Sequence, residues 1–275
     1  MGKPFFTISK KVGETPLQAL ERLRRDKKIS TQTPLAYAGR LDPMASGQLL
    51  ILHGDECKVQ EQYHSLDKEY DFEILLGVGS DTHDVLGIVK KYEANHPTDL
   101  EVKHVLRKLV GKVTLPYPHF SSKTVKGKPL HMWTLEGRLS EIEIPTKTST
   151  IHSLTLTSIR TTTAQELLEA VRKKVDSIPP VTDPRKALGE DFRRVDVHAS
   201  WDAVICDAPG ATYTILSLSC VCSSGTYMRT LASIIGERLG TKALAYSIHR
   251  SRIGKYFGIP GIFGLWVQTY AKDGV

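Results

Sequence analysis

One carboxylate, Asp42, lies in an irregular segment, AGRLDPMASG at 38–47, which is bracketed by glycines and followed by the apolar run LLIL. Pro43 restricts Asp42 to an extended conformation and has no backbone N–H, so the carboxylate is displayed from a stiff, non-helical backbone. A nucleophile needs this rigidity. Asp-Pro is also a common turn dipeptide. The loop alone therefore leaves two interpretations open, a nucleophile and a turn residue.

A second segment that can do chemistry is SSGTYMRT at 223–230, where a predicted strand gives way to a helix. Gly225 relaxes the turn, Thr226 is the predicted N-cap, and Arg229 falls in the first helical turn. The helix dipole does not favour a cation there. Arg229 is therefore either a surface arginine or the partner of a buried carboxylate, which it would keep ionised and oriented.

The elements around these segments follow from local patterns. FFTIS near the N-terminus predicts a strand, and the capping box Thr15 to Gln18 with Pro16 predicts a helix whose buried stripe is Leu17, Leu20 and Leu23. Residues 67–77 alternate between apolar and polar, which predicts a half-buried strand with Tyr70 on its apolar face.

Further along the chain, helices are predicted after the capping box Thr98 to Glu101, at 164–177, and at 226–239 before Gly240. Strands are predicted from Tyr213 and near 243–249. The proline-rich, charged stretch 177–196 predicts an exposed loop. Strands and helices mix without strict βαβ alternation, so we expect an α+β fold with a central mixed, mainly antiparallel sheet flanked by helices.

Composition narrows the function classes. The 275 residues are 40% hydrophobic and 24% charged, which is ordinary for a globular protein, and the net charge of +7 favours a polyanionic partner. No apolar run approaches the roughly 20 residues of a membrane span, and the N-terminus has no signal-peptide core. We therefore expect a cytoplasmic protein without membrane contact.

Metal and nucleotide cofactors have little support in the sequence. The four cysteines are scattered, without a second pair of cysteines or histidines at ligand spacing, so we expect reduced thiols and no metal. Gly77 and Gly79 lack the third glycine of a phosphate-binding loop. These observations predict a protein without a cofactor.

Four blocks of sequence, taken together, resemble one known family. LAYAGRLDPMASGQLLILHGDECK, KEYDFEILLGVGSDTHDVLG, SSKTVKGKPLH and CSSGTYMRTLASIIGERLGTKAL resemble, in family order, the motifs of TruB-type pseudouridine synthases, over 4–150 and 213–257. Four ordered blocks are far more specific than one. The resemblance implies the pseudouridine-synthase catalytic fold and cofactor-free isomerisation of uridine in RNA, with position 55 of the tRNA T-loop as the expected target.

The resemblance also implies roles for single residues. Asp42 is similar to the family's nucleophile, Arg229 to the arginine that pairs with it, and Tyr70 to the aromatic residue that stacks on the flipped base and is implicated in removing the C5 proton. Tyr70 and the pocket residue Ile248 are also compatible with ordinary core packing. The other expected substrate-binding residues are Tyr37, Lys10, Lys58, Lys123, Lys128 and Arg250, whose cations either contact phosphate or are solvated surface charges.

Some positions depart from the family pattern. The first motif, beginning at Lys10, lacks its usual proline and serine, and Tyr37 replaces a common histidine. We expect a catalytic domain at 1–257, containing an RNA-clasping segment at 121–150 and an insertion near 163–208. A short tail at 258–275 leaves no room for the C-terminal RNA-binding PUA domain of many relatives. We expect a monomer.

Three alternatives remain. The departures at Tyr37 and in the first motif fit an RNA-binding or RNA-folding protein that has lost turnover on the same scaffold. The expected lack of a PUA domain leaves open a synthase that acts on another RNA. A hydrolase with an aspartyl nucleophile would need a second carboxylate at recognisable spacing for general acid catalysis, and none is visible. Retention of Asp42, Tyr70 and Arg229 together favours the synthase.

Overall fold

The computed structural model describes residues 4–93, 96–180, 190–208 and 210–270. The α-helices of this part are α1 (Pro16–Asp26), α2 (Glu61–His64), α3 (Asp99–Arg107), α4 (Leu130–Leu135), α5 (Ala164–Asp176), α6 (Glu190–Cys206) and α7 (Met228–Arg238). The strands are β1 (Phe5–Lys10), β2 (Leu35–Ala38), β3 (Ala45–His53), β4 (Asp67–Leu76), β5 (Val78–Ser80), β6 (Val89–Lys91), β7 (Gly111–Pro116), β8 (Thr124–Val125), β9 (Lys128–Pro129), β10 (Thr146–Thr163), β11 (Thr212–Cys222), β12 (Ala243–Ile259) and β13 (Phe263–Thr269).

A nine-stranded sheet organises the molecule, with the order β1-β3-β12-β4-β11-β10-β7, while β2 pairs with β3 and β13 pairs with β12. Neighbours in this sheet are antiparallel except β3 and β12, which run parallel over a short register that aligns Gly47 with Arg250. The expected α+β fold with a mixed, mainly antiparallel sheet is confirmed. The parallel contact brings the segment after Asp42 against β12.

Three helices begin where the sequence predicts. Capping boxes at Thr15, Thr98 and Thr163 precede α1, α3 and α5, and each side chain accepts a hydrogen bond from the backbone N–H three residues later. In α1, Leu20 and Leu23 are buried as predicted, but the prediction for Leu17 is wrong because this residue is 53% exposed. Leu17 faces an open cleft instead of the sheet.

The predicted cap of α7 is wrong. Tyr227 occupies the N-cap position without a side-chain hydrogen bond, and the Thr226 hydroxyl instead donates to Ser149 Oγ on β10 at 2.8 Å. Gly225 does adopt a left-handed conformation, with φ of +90°. The turn before α7 is therefore anchored to the sheet by Thr226 instead of being closed by a helix cap.

The largest apolar cluster lies between the sheet and the helices α3, α5, α6 and α7. A smaller cluster covers Leu49 and Ile51 of β3, where Ala19, Leu20 and Leu23 of α1 are buried. Helices therefore pack on different parts of the sheet. Helix α1 covers β3, whereas α3, α5, α6 and α7 pack on the part that holds the largest cluster. None of the described helices is long and apolar enough to cross a membrane.

The stretch predicted as a loop at 177–196 is helical from Glu190 onward, so that prediction is wrong for 190–196. The helix begins in a charged segment, but its later residues pack against the core. Three of them are buried at helical spacing, namely Val197, Trp201 and Val204. Residues 181–189 of the predicted loop lie outside the described residues. The helices α5 and α6 pack against each other and form a helical pair.

The segment 117–145 forms a small unit of its own, with the hairpin β8–β9, helix α4 and an apolar cluster of Leu130, Trp133 and Ile142. We call it the clasp segment. The expected RNA-clasping segment reached to 150, but residues from Thr146 onward belong to β10 in the main sheet. In the predicted tail, residues 263–269 form β13, which pairs with β12.

Candidate active site

The loop that carries Asp42 connects β2 to β3 and is fixed on both sides. Gly13 donates a backbone hydrogen bond to the Pro43 carbonyl at 2.9 Å, and Ala45 donates to the Asp42 carbonyl at 3.0 Å. Gly47 has a φ of +111°, and a β-carbon there would lie 2.2 Å from the Arg250 carbonyl oxygen. The glycine is required because β3 and β12 approach so closely. The loop thus holds its aspartate on a rigid backbone.

Asp42 and Arg229 form an ion pair, as the sequence analysis expected. Arg229 Nε donates to Asp42 Oδ2 at 2.7 Å. The Asp42 side chain is 39% exposed, and its Oδ1 makes no hydrogen bond to a described residue. The carboxylate is therefore oriented through one oxygen while the other faces open space.

The Arg229 guanidinium is buried and fully engaged. Nη1 donates to the Thr82 carbonyl at 2.9 Å, and Nη2 donates to the Phe120 carbonyl at 3.2 Å. Burial works against the charge, but the nearby carboxylates of Asp42 and Asp84 raise the pKa of Arg229 above its usual range. Arg229 is thus a permanent cation in a fixed orientation.

Asp84 is a second carboxylate at this arginine, with its Oδ2 3.7 Å from Arg229 Nε. Its Oδ1 accepts hydrogen bonds from the Thr82 hydroxyl at 2.6 Å and from the Leu86 backbone at 3.0 Å. Burial raises the pKa of Asp84 to about 6, although Arg229 and Thr82 act in the opposite direction. Asp42, Arg229 and Asp84 therefore form a connected charge network.

Tyr70 projects from β4 into the same region and is almost completely buried. Burial raises the pKa of Tyr70 to about 12, and the positive charge of Arg250, its neighbour across the β4–β12 register, opposes this shift. The phenol is therefore neutral at neutral pH. Ile248 is buried two residues before Arg250 on β12 and also packs in the main core, whereas Tyr37 on β2 is half-buried.

One cleft of about 960 Å³ collects most of these side chains. Its polar floor holds the Asp42–Arg229–Asp84 network beside Tyr70 and Ile248. The volume lies at the upper end of the usual range of ligand pockets, roughly 300–1,000 Å³. Of the ten site residues predicted from sequence, the cleft is lined by Tyr37, Asp42, Tyr70, Arg229, Ile248 and Arg250.

Lys10 and Arg250 were predicted to contact phosphate, but both side chains are fully buried. The prediction of a phosphate contact is wrong for these two residues because their charged groups face backbone carbonyls. Lys10 Nζ donates to the Glu14 carbonyl at 2.6 Å. Arg250 donates to the carbonyls of Gln48, Arg40 and Gly39 at 2.8, 3.3 and 3.2 Å. Arg250 therefore ties together both ends of the loop that carries Asp42.

The other predicted cations, Lys58, Lys123 and Lys128, lie outside the cleft lining. Lys58 is 78% exposed and pairs with Asp55 at 2.7 Å. Lys123 is exposed on the clasp segment, with Nζ 5.4 Å from the ring centre of Tyr117. Lys128 pairs with Glu136 at 2.6 Å and lies over Trp133. Their contacts with RNA stay a prediction.

Sequence reasoning missed Asp84, Thr82 and Phe120, which complete the surroundings of Arg229. Asp84 and Thr82 stand in the block SDTHDVLG, whose resemblance was recognised without a role for its last aspartate. Phe120 gave no signal because it contributes its carbonyl, which every residue has. Within the described ranges, no group of three or more His, Cys, Asp or Glu side chains is placed to hold a metal ion.

Comparison with known proteins identifies the family of this site. Residues 27–175, more than half of the chain, match the TruB family pseudouridylate synthase (N terminal domain). The chain belongs to the TruB family. The match includes the loop of Asp42, the strand of Tyr70 and the turn of Asp84.

Two curated relatives of this TruB-family chain carry the name tRNA pseudouridine synthase B. The protein of Bacillus licheniformis is 29% identical over 251 residues, which cover 90% of this chain and 64% of the relative. The protein of Caldicellulosiruptor saccharolyticus is 26% identical over 258 residues, which cover 94% of this chain and 69% of the relative. The chain thus spans about two thirds of the length of these relatives.

A solved structure shares the fold. The crystal structure of a Cbf5-Nop10-Gar1 complex contains a chain that superposes with a TM-score of 0.54 at 14% sequence identity. The superposition covers 91% of this chain and 48% of that chain. At this identity the likeness supports the fold of the TruB-family chain, and the chemistry is argued from the site itself.

Proposed function

We propose that this protein isomerises uridine to pseudouridine in RNA, with Asp42 as the nucleophile. The observation that carries the proposal is the 2.7 Å pair between Arg229 Nε and Asp42 Oδ2 at the floor of a cleft, in a chain of the TruB family. The pair engages only Oδ2 of a side chain that is 39% exposed and lines the cleft. An ionised, oriented carboxylate is suited to form a transient covalent adduct.

In the proposed reaction Asp42 attacks the bound uridine, and the N1–C1′ glycosidic bond breaks. The uracil rotates within the cleft and rejoins the ribose through C5, and the bond to Asp42 breaks, which frees the carboxylate. The C5 proton then leaves, and N1 gains a proton. No atom is gained or lost, so the reaction needs no redox partner. Arg229 stabilises the carboxylate as its charge changes, from a buried position.

Tyr70 is proposed to hold the base by stacking. Its phenol is neutral at neutral pH because burial raises its pKa to about 12, so ordinary conditions favour stacking over proton abstraction by a phenolate. Ile248 is proposed to cover the uracil edge from β12. Tyr37 lines the mouth of the cleft, where stacking would help to displace the target nucleotide.

The proposed substrate is tRNA, with the uridine at position 55 of the T-loop as the target. The names of the relatives from Bacillus licheniformis and Caldicellulosiruptor saccharolyticus support tRNA. A uridine in a folded loop must be extruded at a cost of a few kcal/mol, which contacts with the surrounding RNA offset. The exposed Lys123 and the half-buried Lys128 of the clasp segment are proposed to supply part of those contacts.

We propose, as expected from the sequence, that the protein acts as a monomer. The proposal is tested with the wild-type protein and a tRNA transcript labelled with tritium at C5 of uridine. Release of tritium is expected, and it should be absent for a transcript in which position 55 is cytidine. A transcript that is bound without tritium release would favour the RNA-binding alternative, and free uracil would indicate a hydrolase.

A further inference from the structure

The helical pair α5–α6 forms one wall of the cleft, and the proposed mechanism does not use it. Val175 and Ile178 at the end of α5, and Arg193 and Val197 on α6, line the same cleft as Asp42. These residues lie within the predicted insertion at 163–208, outside the four blocks that carry the family resemblance. A part of the chain outside those four blocks therefore borders the active site.

Arg193 makes two contacts across this border. Its Nη1 pairs with Asp81 Oδ2 at 2.6 Å, and its guanidinium carbon lies 4.6 Å from the ring centre of Phe120. The Arg193 side chain is 17% exposed, so its charge is directed inward. The Asp81 Oδ1 accepts a hydrogen bond from the Ile88 backbone at 3.0 Å, which fixes the carboxylate that Arg193 binds.

The two segments that Arg193 joins are those that hold Arg229. Asp81 directly precedes Thr82, whose carbonyl accepts from Arg229 Nη1 at 2.9 Å. Phe120 itself accepts from Arg229 Nη2 at 3.2 Å. Arg193 therefore joins the two segments whose carbonyls accept hydrogen bonds from Arg229, the residue that orients Asp42.

The rest of α6 braces the same turn, residues 81–89. Trp201 is fully buried, and its Nε1 donates to the Val85 carbonyl at 3.1 Å. The Val89 backbone donates to Ser200 Oγ at 3.1 Å. Gly87 has no room for a β-carbon, which would lie 2.3 Å from the Thr82 hydroxyl. The turn is thus packed tightly and is tied to α6 by two hydrogen bonds.

We infer that Arg193 is a positioning residue for the reaction, acting through Asp81 and Phe120 on Arg229 and so on Asp42; this inference rests on the proposed function. Loss of these contacts would let the Thr82 and Phe120 carbonyls shift relative to each other, and Arg229 would follow. A misplacement of about 1 Å in a reacting group can cost about 100-fold in rate. Arg193 is distinguished from a phosphate contact by its inward pairing with a carboxylate.

The test compares Arg193→Gln, Asp81→Asn and Arg193→Lys with the wild type in single-turnover tritium release and in RNA affinity. Arg193→Gln and Asp81→Asn should each lower the saturating rate by about 10- to 100-fold with RNA affinity within about twofold. The double variant should be little worse than either single variant, because both remove the same contact. Arg193→Lys keeps the charge pair without the planar stack, so it should recover part of the rate.

Arg172→Gln is the matched control, since Arg172 pairs with Asp202 at 2.6 Å on the exposed side of the same helical pair. It should leave rate and affinity at wild-type values. A normal saturating rate in Arg193→Gln with weakened RNA affinity would overturn the inference in favour of a phosphate contact. If Arg193→Gln does not fold, a wild-type rate in Asp81→Asn overturns it as well. A wild type without tritium release would refute the proposed function, and the inference with it.

Discussion

Two groups of basic residues both lie in or near family motifs in the sequence, but one group is buried and the other lies at or near the surface. The loop cations, Lys10, Lys68 and Arg250, are buried beneath the loop that carries Asp42. The clasp cations, Lys123, Lys126 and Lys128, lie on the clasp segment at or near the surface. The first group holds backbone in place and the second group is available to a ligand. A basic residue in a family motif therefore does not by itself indicate a phosphate contact.

Burial has an electrostatic consequence for the loop cations. Desolvation lowers the pKa of both Lys10 and Lys68 to about 8, and the positive charge of Arg250 contributes to both shifts. Asp42 raises the pKa of Lys10, which partly compensates. The loop of Asp42 thus lies on a cationic layer, whereas the clasp cations are solvated or paired with carboxylates such as Glu136.

Among variants of the two groups, the largest effect on stability and rate is expected for Arg250→Met. This change leaves three carbonyls, those of Gly39, Arg40 and Gln48, without their donor. At about 1 kcal/mol or more for each unpaired group, we expect a loss of about 3 kcal/mol in the free energy of unfolding and at least a 10-fold fall in single-turnover rate. Urea unfolding and tritium release measure the two effects.

The same variant tests the assignment of Arg250 to the loop cations. Its RNA affinity should keep the salt dependence of the wild type, because no phosphate contact is lost. Unchanged stability together with a weaker salt dependence would move Arg250 to the group that binds RNA.

The next largest effect concerns pH. The pKa of Lys10 is about 8 in the folded protein and 10.5 in its ordinary state, so the unfolded chain binds more protons between these values. The free energy of unfolding therefore gains about 2.5 kcal/mol from this group as pH rises from 8 to 10.5. Lys10→Met removes this contribution. Urea unfolding of both proteins at pH 7.5 and 10 should show a smaller rise for the variant, and equal rises would contradict the burial of the charge.

A smaller effect, confined to binding, is expected for the double variant Lys123→Gln, Lys128→Gln. Two lost phosphate contacts should reduce the slope of log affinity against log salt by about 1.4–1.8 and weaken binding about 10-fold at moderate salt. The saturating single-turnover rate should stay normal, because neither residue lines the cleft. A changed saturating rate with normal affinity would show that the clasp cations act on the chemistry.

The smallest effect is expected for Lys58→Ala. Lys58 is 78% exposed and pairs with an exposed aspartate, and such surface pairs contribute little to stability. If Lys58 contacts one phosphate as predicted, the slope of log affinity against log salt should fall by about 0.7–0.9, while the saturating rate stays within about twofold of wild type. An unchanged salt slope would remove Lys58 from the predicted phosphate contacts.

Local signals in the sequence predicted much of the scaffold. Capping boxes marked the starts of α1 and α3, and the alternation at 67–77 marked β4, because both features depend on residues close together in the chain. The pairing of Arg229 with Asp42 was inferred from the misfit between a cation and the start of a helix, together with the family motifs. These predictions are confirmed by the structure.

The predictions that are wrong depend on tertiary contacts. The start of α6 is charged and follows prolines, so only its packing on the turn 81–89 through Trp201 explains the helix. The burial of Lys10 and Arg250 follows from carbonyls that converge on them from distant segments, which no spacing in the sequence reveals. The role of Asp84 likewise depends on its distance from Arg229.

The central claim, that Asp42 is the nucleophile, is tested most directly by single-turnover tritium release from C5-labelled tRNA with Asp42→Asn. The amide keeps the size of the side chain and its acceptor oxygen for Arg229, but it cannot attack as a carboxylate does. Tritium release should be abolished while RNA binding survives at wild-type affinity. Release at a rate near that of the wild type would contradict the assignment of Asp42.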